Sequence, residues 1–409
     1  MGLLWGADPW IFFSMIGLTL FGSLMVVSTA QGVSVGTMNV LLSSLLHQVA
    51  YVAAAYVAMI FADRATRLGN VRSPVKNRFF RFGVWVLCLA YLGVMVVTAL
   101  VGVEANGSRA WLGIPGLGTV QPSEFGKPLI ILVFAMAVYQ SKLHPEYRQS
   151  YWRLFRWPIL FTLASMAALV LQHDFGTLII QFVIAFACSM IPGYPGLAKT
   201  QNRLMIAAMI MVIIGLVVIF TPGASDFLTK VPGMSHIATR INNMKNPYQD
   251  VYGEGYQPAN SLYGIADAGL FGKGLGNSAR KYGYLTQAES DYILAVTVEE
   301  LGIIGLGIIS AGYGIIVWRL MKWLRQTDSI PNKVIFAGTM TYLLGQMVIN
   351  VGGVGALIPM TGVPLLFISS GGSSLLSIYI TLGMCQNRIS EIRDAEYLQN
   401  LKKLRQPEE

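Results

Sequence analysis

Charge is what this sequence has least of. Asp, Glu, Lys and Arg make up 12% of its 409 residues and 54% are hydrophobic, whereas ordinary globular chains carry roughly 25% charged residues. A soluble chain of this length needs far more polar surface to cover its core, so a soluble domain is excluded. Cysteine is scarce as well. Cys88, Cys188 and Cys385 each fall inside an apolar run, where they act as small buried hydrophobes and imply no disulfide framework. The chain shows no internal repeat and no low-complexity segment. The first apolar segment lacks a basic leader, so it is expected to be a retained helix rather than a cleaved signal.

What is present is a series of apolar runs of bilayer length. Segments 10–30, 42–62, 82–103, 124–140, 158–173, 177–192, 205–221, 292–318, 334–352 and 367–387 predict an all-α polytopic membrane protein with about ten transmembrane helices. The fifth and sixth are short and are separated only by His173-Asp174-Phe175-Gly176, which reads as a tight helical hairpin. With the N-terminus in the cytoplasm, 21 Lys and Arg fall on inner loops and the C-terminal tail, and seven fall outside. The positive-inside rule therefore places both termini in the cytoplasm and requires an even number of spans. Much of the net charge of +9 faces the inner leaflet and needs no nucleic-acid partner. The whole chain, 1–409, reads as one transmembrane domain with two notable outer loops, Glu104–Ser123 and a long, polar extracellular stretch at about 222–290. Structureless loops of the second length are usually functional.

Four segments carry candidate chemistry. In Gln121-Pro122-Ser123-Glu124-Phe125-Gly126-Lys127, proline favours a turn and Ser123 can cap the fourth helix. Glu124 and Lys127, three apart, share a helical face. They are either a neutralising pair at the bilayer edge or, with Arg109, part of a cationic mouth for an anionic headgroup. The glycines of Gly269–Ser278, which flank Lys273, resemble a phosphate-cradling loop. They match neither the Walker pattern nor a dinucleotide fingerprint, so turns or close helix contacts account for them better. Asp291 stands at the outer end of the eighth helix, where it either complements the dipole or does chemistry. Glu299 and Glu300 lie about two turns deeper and need partners, with Lys127 and Arg109 the expected ones. Finally, Gly362-Val363-Pro364 through Ser369-Ser370-Gly371-Gly372 interrupts helix at membrane depth, where irregular backbone is either buried in protein or lines a cavity.

Taken in order, Gly107–Trp111, Gln121–Glu124 with Lys127, Gly272–Gly276, Asp291–Gly302 and Pro359–Ser374 resemble the SEDS family, the shape, elongation, division and sporulation proteins of bacterial cell walls. Gly274–Ser278 followed by Arg280-Lys281 is closer to the FtsW branch than to the RodA branch. The chain departs from the family pattern at three places. Leu285-Thr286-Gln287 stands for Leu-Pro-Glu, Asp291-Tyr292 for Asp-Phe, and Ser370 for a common tyrosine. The resemblance implies a peptidoglycan glycosyltransferase of the cell membrane that polymerises lipid II into undecaprenyl-linked glycan. It implies a class B penicillin-binding protein transpeptidase as partner, alongside other division proteins. The family's essential aspartate maps to Asp291. Arg109, Trp111, Glu124, Lys127, Lys273, Glu299, Glu300, Ser369, Gly371 and Gly372 become candidate substrate-binding residues. Trp111 can stack on a sugar or anchor its loop at the interface. No cofactor and no metal site is fixed by the sequence, and a need for a divalent cation stays open. A lipid II flippase and a noncatalytic division scaffold are the rival readings.

Overall fold

The computed structural model describes residues 7–33, 38–65, 74–105, 107–114, 118–221, 223, 229, 235–253 and 255–405. Asn106, Lys230 and the inner-loop residues Arg67 and Arg72 lie outside the described residues. In chain order the helices are α1 Pro9–Val33, α2 Met38–Ala65, α3 Pro74–Val101, α4 Gly126–Leu143, α5 Tyr151–Leu171, α6 Phe175–Met190 and α7 Pro195–Phe220. Then follow two short helices, α8 Ser235–Lys245 and α9 Tyr256–Ala266, and the long α10 Ile293–Gln326, α11 Ile330–Val354 and α12 Gly372–Arg405.

Eight helices are long and apolar enough to cross a membrane, counting the turn Pro122–Phe125 with α4. Helix α6 is apolar but short, and the tenth predicted run, 367–387, falls mostly on α12. Helix α12 is less apolar because protein rather than lipid surrounds its first half. Ser377 Oγ donates to the Glu124 carbonyl at 2.8 Å, and Asn387 Nδ2 donates to the Asp63 carbonyl at 2.5 Å. Polar groups are tolerated at depth when they are paired in this way. Helix α12 packs along α2, α1 along α10, and α11 against α4 and α6. Helix α4 is almost wholly buried at the centre, while the spanning part of α7 buries nothing. The outward Met205, Ile206, Met209, Ile210 and Val212 of α7 are an apolar surface that only a bilayer covers without cost.

One end of the bundle is tied by charge. Asp8 caps α1 through Oδ1, and its Oδ2 accepts from Arg319 Nη2 at 2.5 Å and Trp323 Nε1 at 2.6 Å on α10. Its amide donates to Gln386 of α12. The start of α1 and the basic ends of α10 and α12 thus share one face, the cytoplasmic one by the positive-inside rule.

The opposite face departs from an all-helical reading. Val103–Ala105, Ser108–Ile114 and Gly118–Val120 form a small antiparallel sheet in the order β1-β2-β3, with Val103 opposite Trp111 and Leu112 opposite Val120. Sheet pairing satisfies loop amides that a bare loop would leave open. The predicted tight turn between α5 and α6 is present, with His173 at φ 56 and Asp174 accepting from Thr177 N as a helix cap. Ser123 does not cap α4. That helix begins through the 3₁₀ turn Pro122–Phe125, and Ser123 Oγ donates to Asp174 Oδ2 at 3.3 Å instead.

Candidate functional site

The site is built where three irregular segments meet above the bundle. Residues 287–292 turn into α10, Asn350 lies near the end of α11, and 359–371 runs back toward α12 without helix. Ser369 Oγ donates to the Ser290 carbonyl at 2.7 Å, and Ser370 N donates to the Glu289 carbonyl at 2.9 Å. Asn350 Nδ2 donates to both the Asp291 and Val363 carbonyls. The backbone of 289–291 is therefore fixed from two sides, which leaves the Asp291 carboxylate free to face a cavity. Gly362 borders the carboxylate, and its φ of 72 is a left-handed conformation that favours glycine over any side chain.

Asp291 lies between two cavities. One of about 530 Å³ is lined by Arg240, Gln257, Gln287, Met360 and Gly362. The other, about 500 Å³, is lined by Gln48, Tyr51, Trp111, Gln121, Asp174 and Gly371-Gly372. Asp291, Arg240, Gln287 and Gly362 belong to both. Burial pushes the Asp291 carboxyl up to about 6, against the opposing pull of the Arg240 charge and a Ser290 hydrogen bond. Burial also raises Glu289 above the ordinary carboxylate range. Asp174, Glu289 and Asp291 all line the second cavity, yet no three metal-ligating side chains converge among the described residues.

The predicted residues divide into two groups. Trp111, Gly371 and Gly372 line the second cavity, and Gly372 packs where a Cβ would strike the Tyr51 ring at 2.7 Å. Ser369 is buried and holds the Asp291 segment through its hydrogen bonds rather than facing the cavity. Arg109, on β2, is exposed and pairs with Glu104 at 3.2 Å. Glu124 and Lys127 form a buried pair at 2.6 Å that lines neither cavity. Lys127 also donates to Gln346 Oε1, whose amide nitrogen donates to the Pro364 carbonyl. A cationic mouth built from Arg109 and Lys127 is thus corrected. One charge turns to an exposed neighbour and the other is neutralised inside the bundle.

Nor do Lys127 and Arg109 partner Glu299 and Glu300. Glu299 accepts from Lys273 at 3.0 Å and from Ser278 Oγ at 2.6 Å. Glu300 accepts from Lys281 at 3.0 Å, Ser28 Oγ at 2.8 Å and Gly276 N at 3.0 Å. The cause is a kink. Gly302, at φ 64 and ψ −153, breaks α10 and leaves the Glu299 and Glu300 carbonyls to accept from Lys273 N and Gly274 N, each at 2.9 Å. The glycine-rich loop therefore wraps two of the protein's own carboxylates, as an amide-lined anion nest does. Glu299, Glu300 and Lys273 hold this loop on α10 and line neither cavity.

Arg240, on α8, carries no motif, and only the folded chain brings it to Asp291. Its proximity could have been sought in the long outer loop, whose few cations are the ones able to reach an outer-face acid.

Fold and site together define a multi-pass protein of the cell membrane with a polar cleft at the outer mouth of its helix bundle. The sequence pattern of the FtsW/RodA/SpoVE family, described as "Cell cycle protein", matches residues 9–393, and the chain belongs to that family. Within it, the chain is FtsW-like. It is 33% identical to a Bacillus subtilis protein named "Probable peptidoglycan glycosyltransferase FtsW", over 72% of each chain. A Lactococcus lactis protein of the same name is 32% identical over 74% of each chain, and the B. subtilis stage V sporulation protein E is 31% identical over 74% of this chain and 76% of its own. A chain from the structure "Structural coordination of polymerization and crosslinking by a peptidoglycan synthase complex" superposes with a TM-score of 0.67. It is 21% identical and covers 95% of this chain and 98% of its own. The rod-shape-determining protein RodA of Thermus thermophilus gives 0.61 at 20% identity, over 94% of this chain and 97% of its own.

Proposed function

We propose that this chain is a peptidoglycan glycosyltransferase that polymerises lipid II during septal wall synthesis, with Asp291 as its general base. The observation that carries the reading is a single carboxylate set between two cavities and shifted toward neutral pH. Two saccharides, one on each side of Asp291, meet at its oxygens. The acceptor 4-hydroxyl gives its proton to Asp291, and its oxygen bonds to C1 of the donor sugar. The bond from C1 to the lipid pyrophosphate breaks, and that group leaves with the electron pair. A base with a pKa just below the working pH is largely ionised yet still takes a proton readily, an effect worth roughly 10²–10⁴-fold.

Arg240 takes the role first sought for Arg109 and Lys127, as a fixed cation for pyrophosphate charge at the same two cavities. Trp111 offers a ring to a sugar face in the second. The names of the relatives support the chemistry. A class B penicillin-binding protein that cross-links the product is the partner implied by the family resemblance, in keeping with the complex named above, whose name couples polymerization to crosslinking. The flippase alternative drew on charges inside the membrane. Lys127, Glu299 and Glu300 all stand in closed pairs, which leaves no free charge among them for a transport path.

The test is polymerisation of purified lipid II, with and without the transpeptidase. Asp291→Asn, folded and inserted, should make no glycan, and normal chains from it would refute the assignment. Liposomes that move labelled lipid II across the bilayer without lengthening it would favour the flippase.

A further inference from the structure

A third cavity, about 590 Å³, opens between α3, α4 and α5 at the cytoplasmic end of the bundle, away from the site above. Its upper wall is apolar and aromatic. Trp85 and Trp157 meet edge to face at 6.3 Å, and Trp157 and Leu160 are exposed toward the lipid. Its lower rim is cationic, with Arg81 from α3 and Arg153 and Arg156 from the first turns of α5. No Asp or Glu lines it. None of these three arginines forms a salt bridge among the described residues. Arg81 Nε is buried and has no hydrogen-bond partner among them. A buried guanidinium donor left unpaired is costly, and native interiors rarely leave one so.

A cleft with three arginines below and tryptophans above matches one kind of molecule in its vicinity. An anionic phospholipid of the inner leaflet carries a phosphate at the depth of the arginines and acyl chains at the depth of the rings. Arginine forks bind phosphate through paired N–H groups, and basic pockets between helices on this side of a membrane select anionic headgroups. The cavity volume falls in the range of small-molecule sites. We infer that the α3–α4–α5 cleft binds an anionic phospholipid of the inner leaflet, its phosphate held by Arg81, Arg153 and Arg156. The lipid spans α3, α4 and α5, which all line the cleft, and so fastens this edge of the bundle. This assignment does not depend on the glycosyltransferase reading.

Native mass spectrometry of the purified full chain, with phosphatidylglycerol or phosphatidylcholine of matched acyl chains, tests it. Phosphatidylglycerol should be retained at least about tenfold more strongly. The preference should vanish in Arg81→Gln/Arg153→Gln/Arg156→Gln and survive in the corresponding triple Lys variant. Equal retention of the two lipids by the wild type, or a preference that persists in the Gln variant, overturns the proposal. So does undecaprenyl phosphate displacing phosphatidylglycerol at equal concentration, which would give the cleft to a substrate lipid. Brominated phosphatidylglycerol quenches tryptophan on contact and reads the same site should the Gln variant not fold. The quenching must fall in Trp85→Phe/Trp157→Phe, and quenching that stays unchanged overturns the assignment.

Discussion

Arg240 and Asp291 line the same two cavities from different elements, one on the outer-loop helix α8 and the other at the foot of α10. Burial raises the acid while the guanidinium lowers it, and the balance stands at about 6.

That balance sets a pH profile. The base works only when ionised, so polymerisation should be small at pH 5, half-maximal near about 6 and level above 7. The pH dependence of kcat/KM, from initial rates at lipid II concentrations well below saturation in buffers of constant ionic strength, checks it. An acid limb centred near pH 4 would mean that Asp291 is not the titrating group.

Arg240→Gln removes the charge that opposes burial. The acid limb should then move to higher pH, and the plateau should fall by roughly 10²-fold if Arg240 also balances the leaving pyrophosphate. A purely structural arginine would lower yield or melting temperature without moving the limb, so the pH profile separates the two roles.

The Glu124–Lys127 pair is fully buried, and breaking it strands a charge. Lys127→Met should cost about 3–5 kcal/mol of stability, while Glu124→Leu/Lys127→Met should recover most of that loss. Thermal unfolding of the purified variants in one detergent reads the cycle. Because Lys127 reaches the 359–371 segment only through Gln346, the double variant should keep measurable polymerase activity.

Gly302→Ala tests the kink. Its φ of 64 disfavours any side chain, and the new Cβ would stand 2.3 Å from the Leu270 carbonyl. Strain at such a position costs about 1–3 kcal/mol before the clash is counted. The expected result is a lower melting temperature and a loosened 269–281 loop, read as faster amide exchange at Gly274, Gly276 and Ser278.

Much of this protein was legible before folding. The apolar runs located the bundle's helices, eight of them long and apolar enough to cross a membrane, because hydrocarbon requires length and low charge of any segment that crosses it. Asp291, Trp111 and Gly371-Gly372 could be singled out because each stands in a motif at a helix end or a break. The charged pairs could not be matched in the same way. Glu299 and Glu300 recruit Lys273 and Lys281 because Gly302 bends α10 and turns a neighbouring loop back onto it. Which cation meets which acid depends on backbone direction in space, and linear spacing carries no record of that.

The sequence by itself determined a membrane bundle, its orientation and the acid at its outer rim, since partition between water and lipid acts on each segment in turn. Only the tertiary structure decided that Asp291 faces two cavities with Arg240 beside it, while Lys127 is sealed away. Cavities and long-range pairs arise where distant segments pack, and their energies exist only once those segments have met.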